Sequence, residues 1–376
     1  MKPVLDQAFS ASQSASQSAS QSASQSVLAL GAEARRLVLR REFMRAAFAA
    51  AAVAAVPRLA FGQASAPAVA AKAGADPLPS WNDGACKRAI LTFVADVTRK
   101  GGPKFVSPVD RVATFDNDGT LWCEEPTIEF VYTQARVKGL LEARPELGKK
   151  PPYSTLLAKG PAALAELKPE DLLQILADTH TGMTEEEFAA DVRRFFTMEK
   201  HPKFGVPFTQ VGYLPQIELL RHLRANGFVT WICSGGEVTF MRTVTQDMYG
   251  VPPEQVIGTF FRSQPEEVEG RLQLRRTEKL LSFNDKEGKP GNIFHQIGRR
   301  PILSVGNERS GGDISMLRFA LGHTLPSLAV LIDHDDAKRE YSYDEKDMAS
   351  LVAAKKYGFT VVSMQRDWRR IFAFQA

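Results

Sequence analysis

The sequence predicts an α/β fold: a Rossmann-like, doubly wound parallel sheet with a helical cap inserted after its first strand. Three observations lead to this prediction. Short apolar runs bounded by turn residues alternate with helical patterns, which is typical of a parallel sheet covered by helices on both faces. The first apolar run, VATF at 112–115, is followed directly by acidic residues. The interval after it, 125–212, offers only helix-like segments.

The predicted elements follow one another along the chain. A helical pattern over 81–100 precedes the first strand. Later strands are expected at 228–233, 255–261, 302–305, 328–332 and 359–364, with helices at 214–225, 237–249, 314–320 and 346–357. The cap is expected to contain helices in IEFVYTQARVKGLLEA, EDLLQILADTH and TEEEFAADVRRFFTME. The pattern EVEG followed by RLQLRR predicts a small hairpin near Glu266.

Three parts are therefore expected: 1–64 as a disordered repeat and export signal, 65–121 with 213–376 as the α/β core, and 122–212 as the helical cap. Residues 11–26 repeat Ala-Ser-Gln-Ser four times, a composition with too little apolar surface to offset the entropy of ordering. Seven basic and three acidic residues up to residue 64 account for the whole formal net charge of +4. The remainder is neutral, so no nucleic-acid partner is predicted.

The segment after the repeat has the anatomy of an export signal. The basic stretch RREFMR at 40–45 precedes an apolar run over 46–56 and small residues near a cleavage point after Gly62 or Ala64. The arginine pair resembles a twin-arginine signal; an ordinary secretory signal or a mis-chosen start codon is the alternative. The run is about half of the roughly 20 apolar residues that a membrane span needs. We therefore expect export machinery as a partner, a periplasmic or secreted location and no permanent membrane anchor.

The three cysteines, Cys86, Cys123 and Cys233, cannot all pair within one chain. Cys123 and Cys233 both lie near strand ends, where a bridge between them is conceivable. Free, buried or half-buried thiols are the simpler expectation.

The stretch FDNDGTLW places Asp116 and Asp118 at the end of the first strand. In parallel α/β sheets, ligands bind beyond the carboxyl ends of the strands. Two carboxylates there repel each other unless a cation lies between them or one carries a proton. With Mg²⁺ present, Asp116 could attack phosphorus and Asp118 could protonate a leaving alkoxide. Gly119 would permit the tight turn. The alternative to a catalytic pair is that these residues simply form a turn that ends the strand.

Three later segments carry further candidate side chains. VTWICSGGE ends a strand with Ser234 and Gly235 before a helix, where a hydroxyl and backbone N–H groups suit a phosphoryl group; helix capping by Ser234 is the alternative. NDKEGKPGNI carries Lys286 and Lys289, either of which could neutralise a phosphoryl oxygen or lie at the surface. In PILSVGNERSGGDISML, the side chains that could complete a cation site, or merely cap the next helix, are Asn307, Glu308 and Asp313.

These motifs, in this order and around a helical insert, resemble the phosphatase branch of the haloacid dehalogenase superfamily, specifically phosphoserine phosphatases. The match runs from about residue 112 to 317. The resemblance implies that Asp116 forms an aspartyl-phosphate and that Asp118 acts as general acid and then base. It also implies that Ser234, Gly235 and Lys289 hold the phosphoryl group, whose spreading charge needs electrostatic stabilisation.

The resemblance further implies a Mg²⁺ cofactor and a small phosphorylated substrate, with phosphoserine as one candidate. Mg²⁺ would rest on Asp116, the backbone carbonyl of Asp118 and Asp313, with Asn307 nearby. Glu125 stands where a glutamate faces the substrate amine, and its neighbour Glu124 is the alternative for that place.

Two departures from the family pattern concern the closing motif. Asn307 stands where an acid is usual, and the interval from Asn307 to Asp313 is two residues longer than usual. Either the loop bulges and keeps the site, or Glu308 replaces one ligand.

The sequence leaves three alternatives to a Mg²⁺-dependent phosphomonoester hydrolase. A dehalogenase of the same fold also uses the first aspartate, but it needs neither an acid at Asp118 nor a cation. A phosphotransferase would result if the cap excluded water. A non-catalytic, exported protein that binds phosphate or a metabolite would result if the altered closing loop had lost turnover.

Overall fold

A seven-stranded sheet lies at the centre of the protein. The computed structural model describes residues 75–375 apart from 161–162, 164–165 and 310. The predicted repeat and export signal lie outside these residues. The strands are β1 Val112–Phe115, β2 Val229–Glu237, β3 Val256–Val268, β4 Arg271–Ser282, β5 Leu303–Asn307, β6 Leu328–Asp333 and β7 Thr360–Ser363.

The strand order is β4-β3-β2-β1-β5-β6-β7, and all neighbours are parallel except β3 and β4. From β1 the chain builds one half of the sheet through β2 and β3, and it then returns to the other side of β1 as β5. The carboxyl ends of β1 and β5 therefore meet where the direction of winding changes. This is the place where open α/β sheets bind their ligands.

Helices cover both faces of the sheet, as predicted. The helices are α1 Ala85–Thr98, α2 Ile128–Ala143, α3 Tyr153–Lys159, α4 Pro169–His180, α5 Glu185–Met198, α6 Leu214–Ala225, α7 Val238–Arg242, α8 Thr245–Tyr249, α9 Gly288–Ile297, α10 Ile314–Leu321, α11 Ala349–Tyr357 and α12 Met364–Asp367. Alternate residues of β6 point to opposite faces. Val330 and Ile332 join the cluster that includes α1 and α6, whereas Ala329 and Leu331 join the cluster with α10 and α11.

Four helices, α2 to α5, fill the interval between β1 and β2 where the cap is predicted. The first two and α4 enclose a small apolar cluster that includes Phe130, Tyr153 and Ile175. Helix α5 begins with a capping box between Thr184 and Glu187. Its Phe195 packs into the main core instead, so the cap helices share apolar contacts with the sheet domain.

Two elements differ from the sequence prediction. The helix expected over 237–249 is two short helices, α7 and α8, because three consecutive β-branched residues at 243–245 favour helix weakly. The hairpin expected near Glu266 exists, but its strands are 13 and 12 residues long and form the antiparallel edge of the sheet. The outer part of this hairpin is largely exposed and rich in charged residues, with Leu272 and Leu274 exposed among them, so the apolar signal that marks a strand is weak there.

The three cysteines are free and buried, as expected. Over the part of the chain that the structure describes, no helix has both the length and the apolar character to cross a membrane.

Candidate active site

The turn after β1 places two carboxylates at the sheet edge. The backbone N–H of Asp116 still donates to the carbonyl of Val305 on β5, at 2.9 Å. The chain then turns, and Gly119 takes a φ of +68°. A Cβ at Gly119 would lie 2.0 Å from Nδ2 of Asn307. The prediction that this turn needs glycine is confirmed, for both its backbone angle and its close packing.

Asp116, Lys289 and Asp313 form one buried cluster. Nζ of Lys289 donates to Oδ1 of Asp116 at 2.9 Å and to Oδ1 of Asp313 at 2.5 Å. Burial alone would lower the pKa of Lys289, but the charges of the two aspartates raise it well above its usual range. Lys289 therefore stays a cation, fixed at the carboxyl ends of β1 and β5. The other candidate, Lys286, is exposed and does not belong to this cluster.

Asp118 lies on the other side of the same turn. Its Oδ1 accepts from Nε1 of Trp122 at 2.9 Å, and its Oδ2 lies 3.5 Å from the hydroxyl of Ser234. Burial and the neighbouring charge of Asp116 raise the pKa of Asp118 to about 7. The two aspartates therefore have different environments: Asp116 accepts from Lys289, whereas Asp118 binds a proton more readily than a free aspartate does.

Ser234 lies within β2 and caps no helix. Its hydroxyl accepts from the backbone N–H of Gly236 at 3.2 Å, while α7 is capped by Glu237, whose carboxylate accepts from the N–H of Phe240 at 2.7 Å. The register of β2 against β3 shifts between Cys233 and Glu237, as at a bulge. Ser234 and Gly235 therefore lie outside the regular pairing of these two strands.

Asp313 does not cap the helix that follows it, which was the structural alternative for this residue. It precedes α10 but makes no side-chain cap. Its Oδ2 accepts from the backbone N–H of Asn307 at 2.9 Å, while Oδ1 holds Lys289. Burial and the charge of Asp116 raise the pKa of Asp313 to about 7. Both oxygens thus fix other parts of the site.

Asn307 ends β5, and its amide is oriented by Glu124. Nδ2 of Asn307 donates to Oε1 of Glu124 at 2.8 Å, which directs the amide oxygen away from that carboxylate. Glu124 also accepts from the hydroxyl of Tyr343 and lies 3.5 Å from Arg309. Sequence reasoning left Glu124 as an alternative only, because its partners come from distant parts of the chain.

Glu125, predicted to face the substrate, pairs with Arg309 and does not line the cavity, whereas Glu124 does. Glu308, considered as a replacement ligand, accepts from the backbone N–H of His334 and also lies outside the cavity lining. Burial raises the pKa of Glu308 to about 8.

The side chains at the carboxyl ends of β1, β2 and β5 surround a cavity of about 330 Å³. Its floor contains the predicted Asp116, Asp118, Ser234, Gly235, Lys289, Asn307 and Asp313. Its other wall comes from cap helices α2 and α4 and includes Glu129, which sequence reasoning missed. Burial raises the pKa of Glu129 to about 8. Only the packing of the cap on the sheet brings Glu129 to the site, so no local motif marked it.

The floor suits a cation by its chemistry, although the described residues include no group of three or more His, Cys, Asp or Glu side chains arranged as a metal site. Buried carboxylates outnumber the lysine, and the charge of Asp116 raises the pKa values of both Asp118 and Asp313. Mg²⁺ needs only one or two protein carboxylates, because phosphate oxygens and water complete its shell. The donor set therefore fits Mg²⁺.

The family model of haloacid dehalogenase-like hydrolases matches residues 113–282. The resemblance predicted from the motifs is thereby confirmed over this part of the chain. Among curated proteins, none matches the sequence.

Several solved structures are similar to this chain. A conserved, functionally unknown protein from Anaerococcus prevotii is 14% identical, with a TM-score of 0.47 over 74% of this chain and 91% of that chain. A probable phosphoserine phosphatase from Vibrio cholerae is 17% identical, with a TM-score of 0.35; the match covers 72% of this chain and 73% of that chain. A phosphoserine phosphohydrolase-like protein from Francisella tularensis is 14% identical, with a TM-score of 0.34 over 65% and 99%. At this level of similarity, no residue role is taken from them.

Proposed function

We propose that this chain, whose residues 113–282 match the family model of haloacid dehalogenase-like hydrolases, is a Mg²⁺-dependent phosphomonoester hydrolase. It would act on a small phosphorylated metabolite through an aspartyl-phosphate on Asp116. One observation carries the proposal: Asp116, Lys289 and Asp313 form a buried, hydrogen-bonded cluster on the floor of a cavity that Asp118 and Ser234 also line. A nucleophile, an acid and a fixed cation in one cavity are the groups that phosphoryl transfer needs.

In the first half-reaction, an oxygen of Asp116 forms a bond to phosphorus while the bond from phosphorus to the ester oxygen breaks. The hydrogen bond from Lys289 to Oδ1 fixes the carboxylate and leaves Oδ2 for the attack. Asp118 donates its proton to the departing alkoxide, which leaves as a neutral alcohol. Lys289 and the backbone N–H groups next to Ser234 stabilise the negative charge on the phosphoryl oxygens.

In the second half-reaction, water attacks the phosphorus and the bond from phosphorus to Asp116 breaks. Asp118, now ionised, takes a proton from that water and returns to its starting state. Inorganic phosphate is released, and the carboxylate of Asp116 is free again.

Mg²⁺ would supply Lewis-acid stabilisation of the phosphoryl oxygens. Asp116, the backbone carbonyl of Asp118 and the amide oxygen of Asn307 would hold it. Asp313, also predicted as a ligand, already uses both carboxylate oxygens on Lys289 and on the backbone of Asn307. Asp313 would therefore support the site through these two partners.

The test compares Asp116→Asn with Asp110→Asn on the purified chain. The control residue, Asp110, precedes the opposite end of the same strand and pairs with Arg299 there. With Mg²⁺ and a panel of small phosphomonoesters, we expect Asp116→Asn to lower kcat by at least about a thousandfold. We expect Asp110→Asn to stay within about twofold of the native chain, and removal of Mg²⁺ with a chelator to abolish turnover.

Undiminished turnover in Asp116→Asn would exclude the aspartyl-phosphate route. Binding of phosphomonoesters by the native chain without any turnover would instead support the non-catalytic alternative.

A further inference from the structure

Four apolar side chains form one wall on the cap side of the cavity, beside the polar Thr127, Glu129 and Thr133. Leu172, Ile175 and Leu176 line it from α4, and Phe130 lines it from α2. The three α4 residues have the spacing i, i+3 and i+4, so they form one face of that helix. Ile175 and Phe130 belong to the same buried cluster, which holds this wall in place. A substrate bound by its phosphoryl group on the acidic floor therefore presents its alcohol portion to an apolar wall.

Free positive charge is scarce in this cavity. Among the described residues, the basic side chains that line it are Lys289 and Arg309. Lys289 is held by Asp116 and Asp313, and Arg309 by Glu124 and Glu125. A second anionic group on the substrate, such as a carboxylate, would enter without an unpaired cation to receive it. Burying an unpaired charge costs several kcal/mol.

Glu129 is the ionisable residue that helix α2 contributes to this side of the cavity. Its Oε2 accepts from the backbone N–H of Glu237 at 2.9 Å, and its Oε1 lies 3.8 Å from Nε2 of the buried His180. Burial raises the pKa of Glu129, and its Oε2 is already held by the backbone of β2. A substrate ammonium group at this wall would therefore meet a carboxyl group that is already engaged.

We propose, resting on the proposed phosphatase function, that the preferred substrates are phosphomonoesters with an apolar, uncharged alcohol portion. The cavity of about 330 Å³ lies at the small end of the usual range for ligand sites, which suits a short alkyl chain or a single aromatic ring. Phosphoserine, whose carboxylate would meet no unpaired cation among the described residues of this lining, is a poor substrate by the same reasoning.

The first test measures kcat/KM of the native chain with Mg²⁺ for ethyl phosphate, butyl phosphate, phosphoethanolamine and phosphoserine. Two added methylenes that become buried should raise kcat/KM of butyl phosphate about tenfold over ethyl phosphate. Phosphoserine and phosphoethanolamine should fall at least about tenfold below butyl phosphate. Equal or higher kcat/KM for either charged ester would overturn the inference while leaving the phosphatase proposal intact. Failure to hydrolyse any of the four esters would overturn both.

The second test introduces a cationic side chain at the apolar wall by substitution. Leu172→Arg should raise the ratio of kcat/KM for phosphoserine over butyl phosphate at least about tenfold, because the new guanidinium can pair with the substrate carboxylate. Leu173→Arg is the matched control: Leu173 is the next residue of α4, exposed and outside the cavity lining, and its variant should leave the ratio within about twofold.

Thermal melting of both arginine variants checks their folding. If Leu172→Arg does not fold, Leu172→Asn replaces it, and the preference for butyl over ethyl phosphate should then fall at least about threefold. An unchanged preference in a folded Leu172 variant would show that this wall does not contact the alcohol portion.

Discussion

At the scale of single residues, Asn307 shows how the site adapts to the missing acid. The family pattern expects a carboxylate at this position, and an amide is a weaker ligand for Mg²⁺. The structure shows one contact that orients this amide: Glu124 accepts from Nδ2 of Asn307, which leaves the amide oxygen free for the proposed Mg²⁺. Partners that orient a ligand in this way are worth roughly 10- to 100-fold in metal affinity.

The prediction for this pair concerns Mg²⁺ binding in the absence of substrate. Glu124→Leu removes the acceptor and should weaken Mg²⁺ binding about tenfold or more. Glu124→Gln keeps a side-chain acceptor and should stay within about threefold. Isothermal titration calorimetry measures both, with Glu125→Leu as the neighbouring control that should change little. If Gln and Leu weaken binding equally, Glu124 acts through its charge and not by orienting Asn307.

At the scale of elements, the long β3–β4 hairpin makes hydrogen bonds and ion pairs with the cap. The backbone N–H of Arg276 on β4 donates to the carbonyl of Met183 at 2.9 Å. Its buried guanidinium donates to the carbonyl of His180 and to the carboxylates of Glu185 and Glu237. Glu185 begins cap helix α5 and Glu237 ends strand β2, so one side chain joins the cap to the core.

Arg276→Met should destabilise the protein by about 3–5 kcal/mol, because two carboxylates lose their buried partner. The matched control is Arg271→Met. Arg271 begins the same strand and is exposed, so this change should cost less than about 1 kcal/mol. Urea unfolding followed by circular dichroism gives both free energies. Equal losses would mean that Arg276 does not join the cap to the core.

At the scale of the whole molecule, buried acids collect at the carboxyl edge of the sheet. Burial raises the pKa of Asp118 and Asp313 to about 7 and that of Glu129 to about 8. Each of these groups binds a proton more tightly in the folded protein than in the unfolded chain. Burying these acids at the candidate site therefore costs stability at neutral pH, as is common where function requires buried charge.

The pH dependence of stability follows from Glu129. Below its usual pKa of 4.5 the group is protonated in both states; between there and about 8 only the unfolded state ionises, so folding stability falls as pH rises. Glu129→Gln should therefore gain stability relative to the native chain between pH 5 and pH 8, on the order of 2–4 kcal/mol.

Urea unfolding across this pH range measures the difference. Glu142→Gln, an exposed position on the same helix α2, should show no such trend. A constant difference between Glu129→Gln and the native chain over the range would mean that Glu129 ionises in the folded state as it does in water.

Local pattern made much of the fold predictable. The helices predicted at 128–143 and 214–225 have the same bounds in the structure. The order of strands and helices, and the place of the first aspartate pair, followed from the alternation of buried runs with helical patterns. The export signal lies outside the described residues, and it stays a prediction together with the periplasmic or secreted location.

The sequence by itself determined the sheet, the helical interval after β1, and the identity of Asp116, Asp118, Ser234 and Lys289 as candidates. Each of these is encoded in a contiguous stretch, where strand ends and turn residues are visible along the chain. Only the tertiary structure decided that Glu124 and not Glu125 lines the cavity, that Asp313 braces Lys289, that Arg276 joins cap to core, and that Glu129 lies at the apolar wall. These roles depend on contacts between residues up to 219 positions apart. Burial, charge pairing and hydrogen bonding depend on distance in space, which no local sequence spacing records.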